Sequence, residues 1–256
     1  MTLIASFLLV VGLMTGLWLW QRRSGRADWV DVFWAGSIGL LAVLYALFGD
    51  GAIEKRLLAA LVAGTWSFRL ARHLAVRLAG HDHEDGRYQA MREHWGRTAQ
   101  FWLFVFFMGQ ALIAWLFSLP AWVVANDPSS QLSVWVILGV AFWFVSLAGE
   151  SLADRQLAAF RQDPANRGKV CQVGLWRYSR HPNYFFEWLH WFSYPLIAMG
   201  APHQWIAWLG PVLMLLFLYR VTGIPYTEKQ SLKSRGDAYR EYQRTTSAFF
   251  PWPPKR

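Results

Sequence analysis

The chain has 256 residues, of which 55% are hydrophobic and only 16% charged, with 17 tryptophans and a net charge of +9. Soluble domains carry about a quarter of their residues as charges, and one of this length could not also hide repeated apolar runs long enough to cross a bilayer. The basic residues are scattered between those runs, and aromatics cluster as in Phe101-Trp102-Leu103-Phe104, which opposes a nucleic-acid groove; the single cysteine, Cys171, excludes an intrachain disulfide and a self-contained cysteine metal cluster.

Residues 2–20 form the first predicted span. No basic region precedes them, and Arg22, Arg23 and Arg26 follow, so the stretch reads as a span rather than a cleaved leader. Further spans are predicted at 29–48, 56–78, 101–124, 132–152, 183–200 and 203–222. Each can cross about 30 Å of hydrocarbon as a helix, the form that pairs every backbone polar group internally. The expected fold is therefore all-α and polytopic, with seven transmembrane helices. The third span carries Arg69, Arg72, His73 and Arg77 at helical spacing on one face. That face must line a protein interior or rise into the headgroups. The last two spans are joined by the tight hairpin Ala201-Pro202-His203.

Charge fixes the expected orientation. Lysine and arginine number three in 21–28, six in 69–100, six in 153–181 and eight from Arg220 onward. The 49–56 turn has two, offset by Asp50 and Glu54, and 125–131 and 201–204 have none. The basic side is read as cytoplasmic, with the amino terminus outside and the carboxyl terminus inside.

The basic side also holds the unusual chemistry. Glu150 and Asp154 lie four apart at the end of the fifth span, where paired acids are costly unless they meet a ligand or arginine. They either accept hydrogen bonds from a ligand, such as a ribose or nicotinamide, or brace Arg155, Arg161 or the third helix. Arg177, Tyr178, Arg180 and His181 precede Pro182, a residue suited to the first turn of a helix, with Ser179 placed to cap it. A helix start beside guanidiniums suits phosphate; alternatively these arginines anchor the helix to lipid headgroups. Headgroup anchoring does not account for Asn183 and Glu187, four apart just inside that helix, which favours a ligand site. The histidines at 73, 81, 83 and 181 lack the spacing of two histidines four apart, so His81-Asp82-His83-Glu84-Asp85 reads as a solvated loop and no metal is expected. No glycine-rich phosphate loop is present, so any dinucleotide must be held by side chains and helix ends.

The stretch GLWRYSRHPNYFFE at 174–187 resembles the carboxyl-terminal signature of the membrane steroid 5-alpha-reductase family, especially its bacterial branch. The resemblance extends to TWSFRLARHL at 65–74, Asp85-Gly86-Arg87-Tyr88, GESLADRQLAAFR at 149–161 and GIPYTEKQSLKSRGDAYREYQRTTSAFFPW at 223–252. It implies a single reductase domain over 1–256. Residues 1–64 would form part of a substrate chamber, and 65–256 would bind NADPH. It implies reduction of the carbon–carbon double bond of a 3-oxo-4-ene steroid or similar hydrophobic enone, in the inner membrane of a bacterium. Asn183 and Glu187 match residues that contact the nicotinamide end, and Asp154 and Arg161 match those that hold ribose and phosphates. Glu150, Arg177, Tyr178, Arg180 and His181 are grouped with them, and Tyr226, Glu228 and Tyr239 lie in a segment similar to the one that closes over the dinucleotide. Upstream the chain departs from the pattern. The animal enzymes polarise the ketone with a glutamine–glutamate pair and a tyrosine, whereas this chain offers Tyr45, Glu54, Trp66, Arg69 and His73.

The expected partners are membrane lipids and a hydrophobic substrate entering from them, with no nucleic acid and no required protein. The rival enzymatic reading is an isoprenylcysteine-type carboxyl methyltransferase using S-adenosylmethionine. Its carboxyl-terminal half is similar, but its two adjacent glutamates are replaced here by Thr227-Glu228-Lys229. A transporter would need a polar path through mid-span positions, and spans one, two, six and seven supply few charges for one.

Overall fold

The computed structural model describes residues 2–80, 83–221 and 223–255, and among these the regular structure is entirely helical. Five segments are long and apolar enough to cross a membrane: Leu3–Ser24, Ala27–Phe48, Gly86–Ala125, Val134–Gln162 and Gln204–Thr245. The protein is thus an all-α polytopic membrane protein. Ten α-helices are described: α1 Leu3–Ser24, α2 Val30–Phe48, α3 Ile53–Ala79, α4 Gly86–Trp95, α5 Ala99–Ala125, α6 Val134–Gln162, α7 Pro182–His190, α8 Ser193–Ile197, α9 Leu209–Leu216 and α10 Ile224–Thr245.

Two of the seven expected spans stand outside those five, for separate reasons. Helix α3 has 27 residues, long enough to cross, but its ends carry Glu54, Lys55, Arg56, Arg69, Arg72 and Arg77. The stretch expected as one helix over 183–200 is broken into α7 and α8 around Trp191 and Phe192. Pro195 explains the break, because its ring lacks an N–H and crowds the carbonyl four residues back. Within Gln204–Thr245 the apolar part runs through α9 and a π-helical turn at Phe217–Val221. The densely charged α10 lies beyond it, kinked where Gly236 adopts φ 52°.

The helices form two compact units, Met1–Gln131 with Gly200–Leu209, and Leu132–Met199 with Gly210–Arg256. In the first unit α2 packs mainly against α3 and α5, and α1 against α5. Close approach of α2 to α3 depends on Gly39: a Cβ there would fall 2.4 Å from Ser67 Oγ. Instead, Ser67 Oγ accepts the Gly39 N–H at 3.1 Å. The α2–α3 turn is held against the end of α5 by Gly51 N–H to Ala125 O (3.2 Å), Ala52 N–H to Asp127 O (2.9 Å) and a buried Lys55–Asp127 ion pair at 2.7 Å. Asp127 lies between spans. Burial raises its pKa, but hydrogen bonds from Lys55 and Ser129 outweigh that and hold it below the ordinary carboxylate value.

In the second unit α6 packs mainly against α7 and α8. The last residues wrap this unit, with Phe249, 1% exposed, set among Phe185, Trp188 and Tyr219 at centroid distances of 5.8, 5.6 and 5.2 Å.

Candidate functional site

The second unit gathers most of the polar side chains that the sequence singles out. Helix α6 presents Glu150, buried, and Asp154, half-buried, one turn apart. Asn183, in the first turn of α7, donates its amide to Asp154 Oδ1 at 3.3 Å. Glu187 follows one turn later, half-buried, and none of Glu150, Asp154 and Glu187 stands alone. The helices approach closely because Gly149 faces Phe186: a Cβ at Gly149 would lie 2.4 Å from that ring. The i, i+4 spacing of two acids on α6 and of Asn183 with Glu187 on α7 thus places polar groups on packed helices.

The segment ahead of α7 is fastened to α6. Leu175 N–H donates to Gln156 Oε1 at 2.8 Å and Trp176 Nε1–H to Ala153 O at 2.9 Å. Gly174, with φ 55°, makes the turn against the Gln156 side chain possible. Pro182 opens α7 as expected. Ser179 has a different task from the expected cap: its hydroxyl accepts the His181 N–H at 3.1 Å and donates to Phe249 O at 2.8 Å, while α7 has no side-chain cap. Tyr242, buried on α10, donates to the carbonyls of Trp176 and Ser179.

Arg180, His181 and Glu228 form the tightest polar cluster. Arg180 Nε–H donates to Glu228 Oε1 at 2.7 Å, and His181 Nε2 lies 3.3 Å from the same oxygen. Gln243 donates to Glu228 Oε2 at 2.7 Å, and Arg180 also donates to the carbonyls of Gln243 (3.0 Å) and Thr246. Burial raises the Glu228 pKa, but hydrogen bonds from His181 and Arg180 and the Arg180 charge prevail and bring it to about 2. The His181 ring stacks on Tyr184 at 5.3 Å and 7° between planes, and Tyr184 Oη lies 3.2 Å from Thr227 Oγ1. Beside the cluster, Pro225, Glu228, Lys229, Leu232, Lys233, Arg240 and Gln243 line an open, mainly basic hollow of about 480 Å³.

Arg161, Arg177, Tyr178 and Tyr226 are exposed, whereas Tyr239 is buried edge-on to Tyr242 at 5.8 Å. Thr227, Gln243 and the lysines at 229 and 233 were not singled out as a group from sequence. The i, i+4 spacing of Lys229 and Lys233 on a charged helix was the available signal. Cys171 is buried as a free thiol, its pKa raised by that burial.

The residues considered as ketone partners all lie in the first unit. Tyr45 is 1% exposed, its hydroxyl 3.1 Å from Ser118 Oγ. Trp66 is buried edge-on to Trp34 at 6.2 Å, Arg69 is half-buried, and Glu54 and His73 are exposed. Arg72 and Arg77 are exposed as well, with Arg77 3.6 Å from Asp85.

The expected solvated loop is, in its described part, a structured one; His81 and Asp82 lie outside the described residues. Glu84 accepts the Ala27 N–H at 2.7 Å and pairs with Arg92 at 3.0 Å. Asp28, fully buried, accepts Arg26 at 3.1 Å and the Asp85 N–H at 2.9 Å. Asp31 accepts Tyr88 Oη–H at 2.8 Å and Arg87 at 2.9 Å. Asp85 would be raised by burial, but hydrogen bonds and charge from Arg87 keep its pKa below the ordinary value. Among the described residues no group of histidine, cysteine, aspartate and glutamate is arranged to hold a metal.

Residues 17–246 match a family described as "Protein of unknown function (DUF1295)". An "Uncharacterized protein C594.04c" of Schizosaccharomyces pombe is 26% identical over 279 residues, covering 97% of this chain and 78% of that protein. No solved structure matches the chain.

Proposed function

The chain belongs to the DUF1295 family, and we propose that it is a membrane reductase of the steroid 5-alpha-reductase type, using NADPH to saturate a hydrophobic enone. The observation that carries this reading is the meeting of Asp154 on α6 with Asn183 on the first turn of α7, with Glu187 one turn further along. A carboxylate and an amide on packed helices can together bind the hydroxyl and carboxamide groups of a nicotinamide nucleotide. Arg161 and Arg177 are exposed, and Lys229 and Lys233 line a hollow of about 480 Å³. These cations fit a phosphate-rich molecule. Arg180 fits it less well, since its guanidinium already serves Glu228 and two carbonyls.

In this reading Asn183 and Glu187 orient the nicotinamide end, Asp154 holds a ribose, and Arg161 and Arg177 neutralise phosphates. Bound NADPH would supply the hydride. The protein's remaining task is to exclude water and to meet the negative charge that develops on the ketone oxygen. Trp66, Arg69 and His73, toward the basic end of α3, are the donors proposed for that oxygen, whereas Tyr45 and Glu54 lie by the 49–56 turn at the opposite end of the spans. The same reading has the chain crossing the cytoplasmic membrane of a bacterium seven times, with its basic ends inside and its amino terminus outside, and its substrate arriving from lipid.

Purified protein tests this directly. NADPH should quench tryptophan fluorescence saturably while S-adenosylmethionine does not, and Asn183→Ala or Glu187→Ala should abolish the effect. Membranes given NADPH and a 3-oxo-4-ene steroid should yield the saturated ketone by mass spectrometry. Folded protein that binds S-adenosylmethionine and ignores NADPH would transfer the case to the methyltransferase.

A further inference from the structure

An apolar groove runs along α1 in the first unit. Leu8, Leu17 and Trp20 of α1 line it with Trp29 and Phe33, leaving an open groove of about 730 Å³. The groove exists because Gly12 and Gly16 have no side chains: a Cβ at either would meet nothing within 4 Å. Trp20 and Trp29 meet edge to face at 6.4 Å at one end. One turn beyond Trp20, and on the same face of α1, comes Arg23. It is exposed, and among the described residues no acid pairs with it. The nearby Arg26, by contrast, is engaged by Asp28.

We propose that this groove binds one acyl chain of an anionic phospholipid, whose phosphate is held by Arg23. Length, volume and charge all point to that occupant. From Leu8 to Trp20 the helix rises about 18 Å, close to one leaflet's share of a hydrocarbon core about 30 Å thick. A chain lying in the groove therefore places its headgroup at the tryptophan pair and the arginine. Tryptophan and arginine are the side chains that occupy that depth. The alternative occupant is a second copy of the chain, crossing at Gly12-x-x-x-Gly16. In a parallel pair the cationic ends would bring like charges together. A volume of this size falls within the roughly 300–1,000 Å³ typical of small-molecule sites. The inference is independent of the reductase reading.

Native mass spectrometry of the full chain in detergent, offered equal amounts of phosphatidylglycerol and phosphatidylcholine with identical chains, tests the proposal. The wild type should retain one lipid, with phosphatidylglycerol favoured about fivefold, the worth of one basic residue near an anionic headgroup. Arg23→Gln should retain lipid but lose the preference. The double variant Gly12→Leu/Gly16→Leu places its Cβ atoms where nothing lies within 4 Å, extends leucine side chains into the groove and raises helix propensity, so it should fold and retain neither lipid. Retention by the double variant equal to the wild type would overturn the proposal, as would an undiminished preference in Arg23→Gln. A wild-type dimer that the double variant dissolves would assign the groove to a second copy instead.

Discussion

Replacing Glu228 with glutamine tests whether the carboxylate fastens α10 to the segment ahead of α7. The side chains of Arg180 and Glu228 are 10% and 15% exposed, so the pair is largely withdrawn from water. In Glu228→Gln the shape is kept, and the new carbonyl can still accept Arg180 Nε–H. The charge is lost, however, and the new amide nitrogen faces the amide donor of Gln243, now 2.7 Å from Oε2. Breaking a buried ion pair outright costs about 3–5 kcal/mol, and a hydrogen bond to a charged group is worth about 1.5–3 kcal/mol. Arg180 keeps the carbonyls of Gln243 and Thr246 as acceptors, so the expected loss is about 2–3 kcal/mol, at the lower end. The effect should depend on pH. Glu228 has its pKa lowered from the ordinary value to about 2 in the folded protein, so its contribution is fully present above the unfolded carboxylate pKa. It is lost as pH falls from there towards the folded value. Denaturant unfolding of wild type and variant in detergent should show a gap at pH 7 that narrows between about pH 4.5 and 2. A variant as stable as wild type at pH 7, or a gap that does not narrow with acid, would refute the reasoning.

Three further outcomes follow from the packing and the polar contacts. Lys55→Met should destabilise the first unit by about 3–5 kcal/mol in thermal unfolding, because it strands Asp127 as a buried charge, and Lys55→Met/Asp127→Leu should recover most of the loss. Asp127 is held below its ordinary pKa with the help of Lys55; without that partner burial favours its protonation, so the Lys55→Met penalty should shrink on acidification, beginning above the unfolded carboxylate pKa. Gly39→Ala should cost about 1–3 kcal/mol by forcing α2 off α3, a loss read by unfolding midpoint and relieved by Ser67→Gly. Asp154→Asn should weaken NADPH binding about tenfold or more in fluorescence titration while moving the unfolding midpoint by less than about 1 kcal/mol. A large midpoint shift with unchanged affinity would make Asp154 a brace rather than a ligand.

Membrane-crossing helices were readable from sequence because apolar run length is a local property that hydrocarbon thickness selects. The break at 191–192 was less visible, since hydropathy does not register the hydrogen bond that Pro195 removes. The pairing of Asp154 with Asn183 was half legible: helical spacing put each on a face, but only packing through Gly149 and Phe186 brought those faces together. The network of Asp28, Asp31, Glu84, Asp85, Arg87 and Arg92 was not legible. Its two segments, 26–31 and 84–92, are more than fifty residues apart, as Asp31 and Arg87 are. A run of ionisable residues looks the same in sequence whether water or buried partners satisfy it.

That difference matters most for the arginines around α7. Positive charge beside a helix start reads as a phosphate site, yet each guanidinium has a limited set of donors. In Arg180 they go to Glu228 and to carbonyls of the chain's last segment, and Ser179 and Tyr242 reinforce the same junction. Arg180 is therefore better placed to position the tail than to grip an anion. In the nucleotide reading proposed above, the cations outside the junction that would meet phosphate include Arg161, Arg177 and the pair Lys229 and Lys233 at the hollow on α10. Since Glu228 belongs both to the junction and to the lining of that hollow, a ligand drawn to the lysines would sit directly against the residue that fastens the tail.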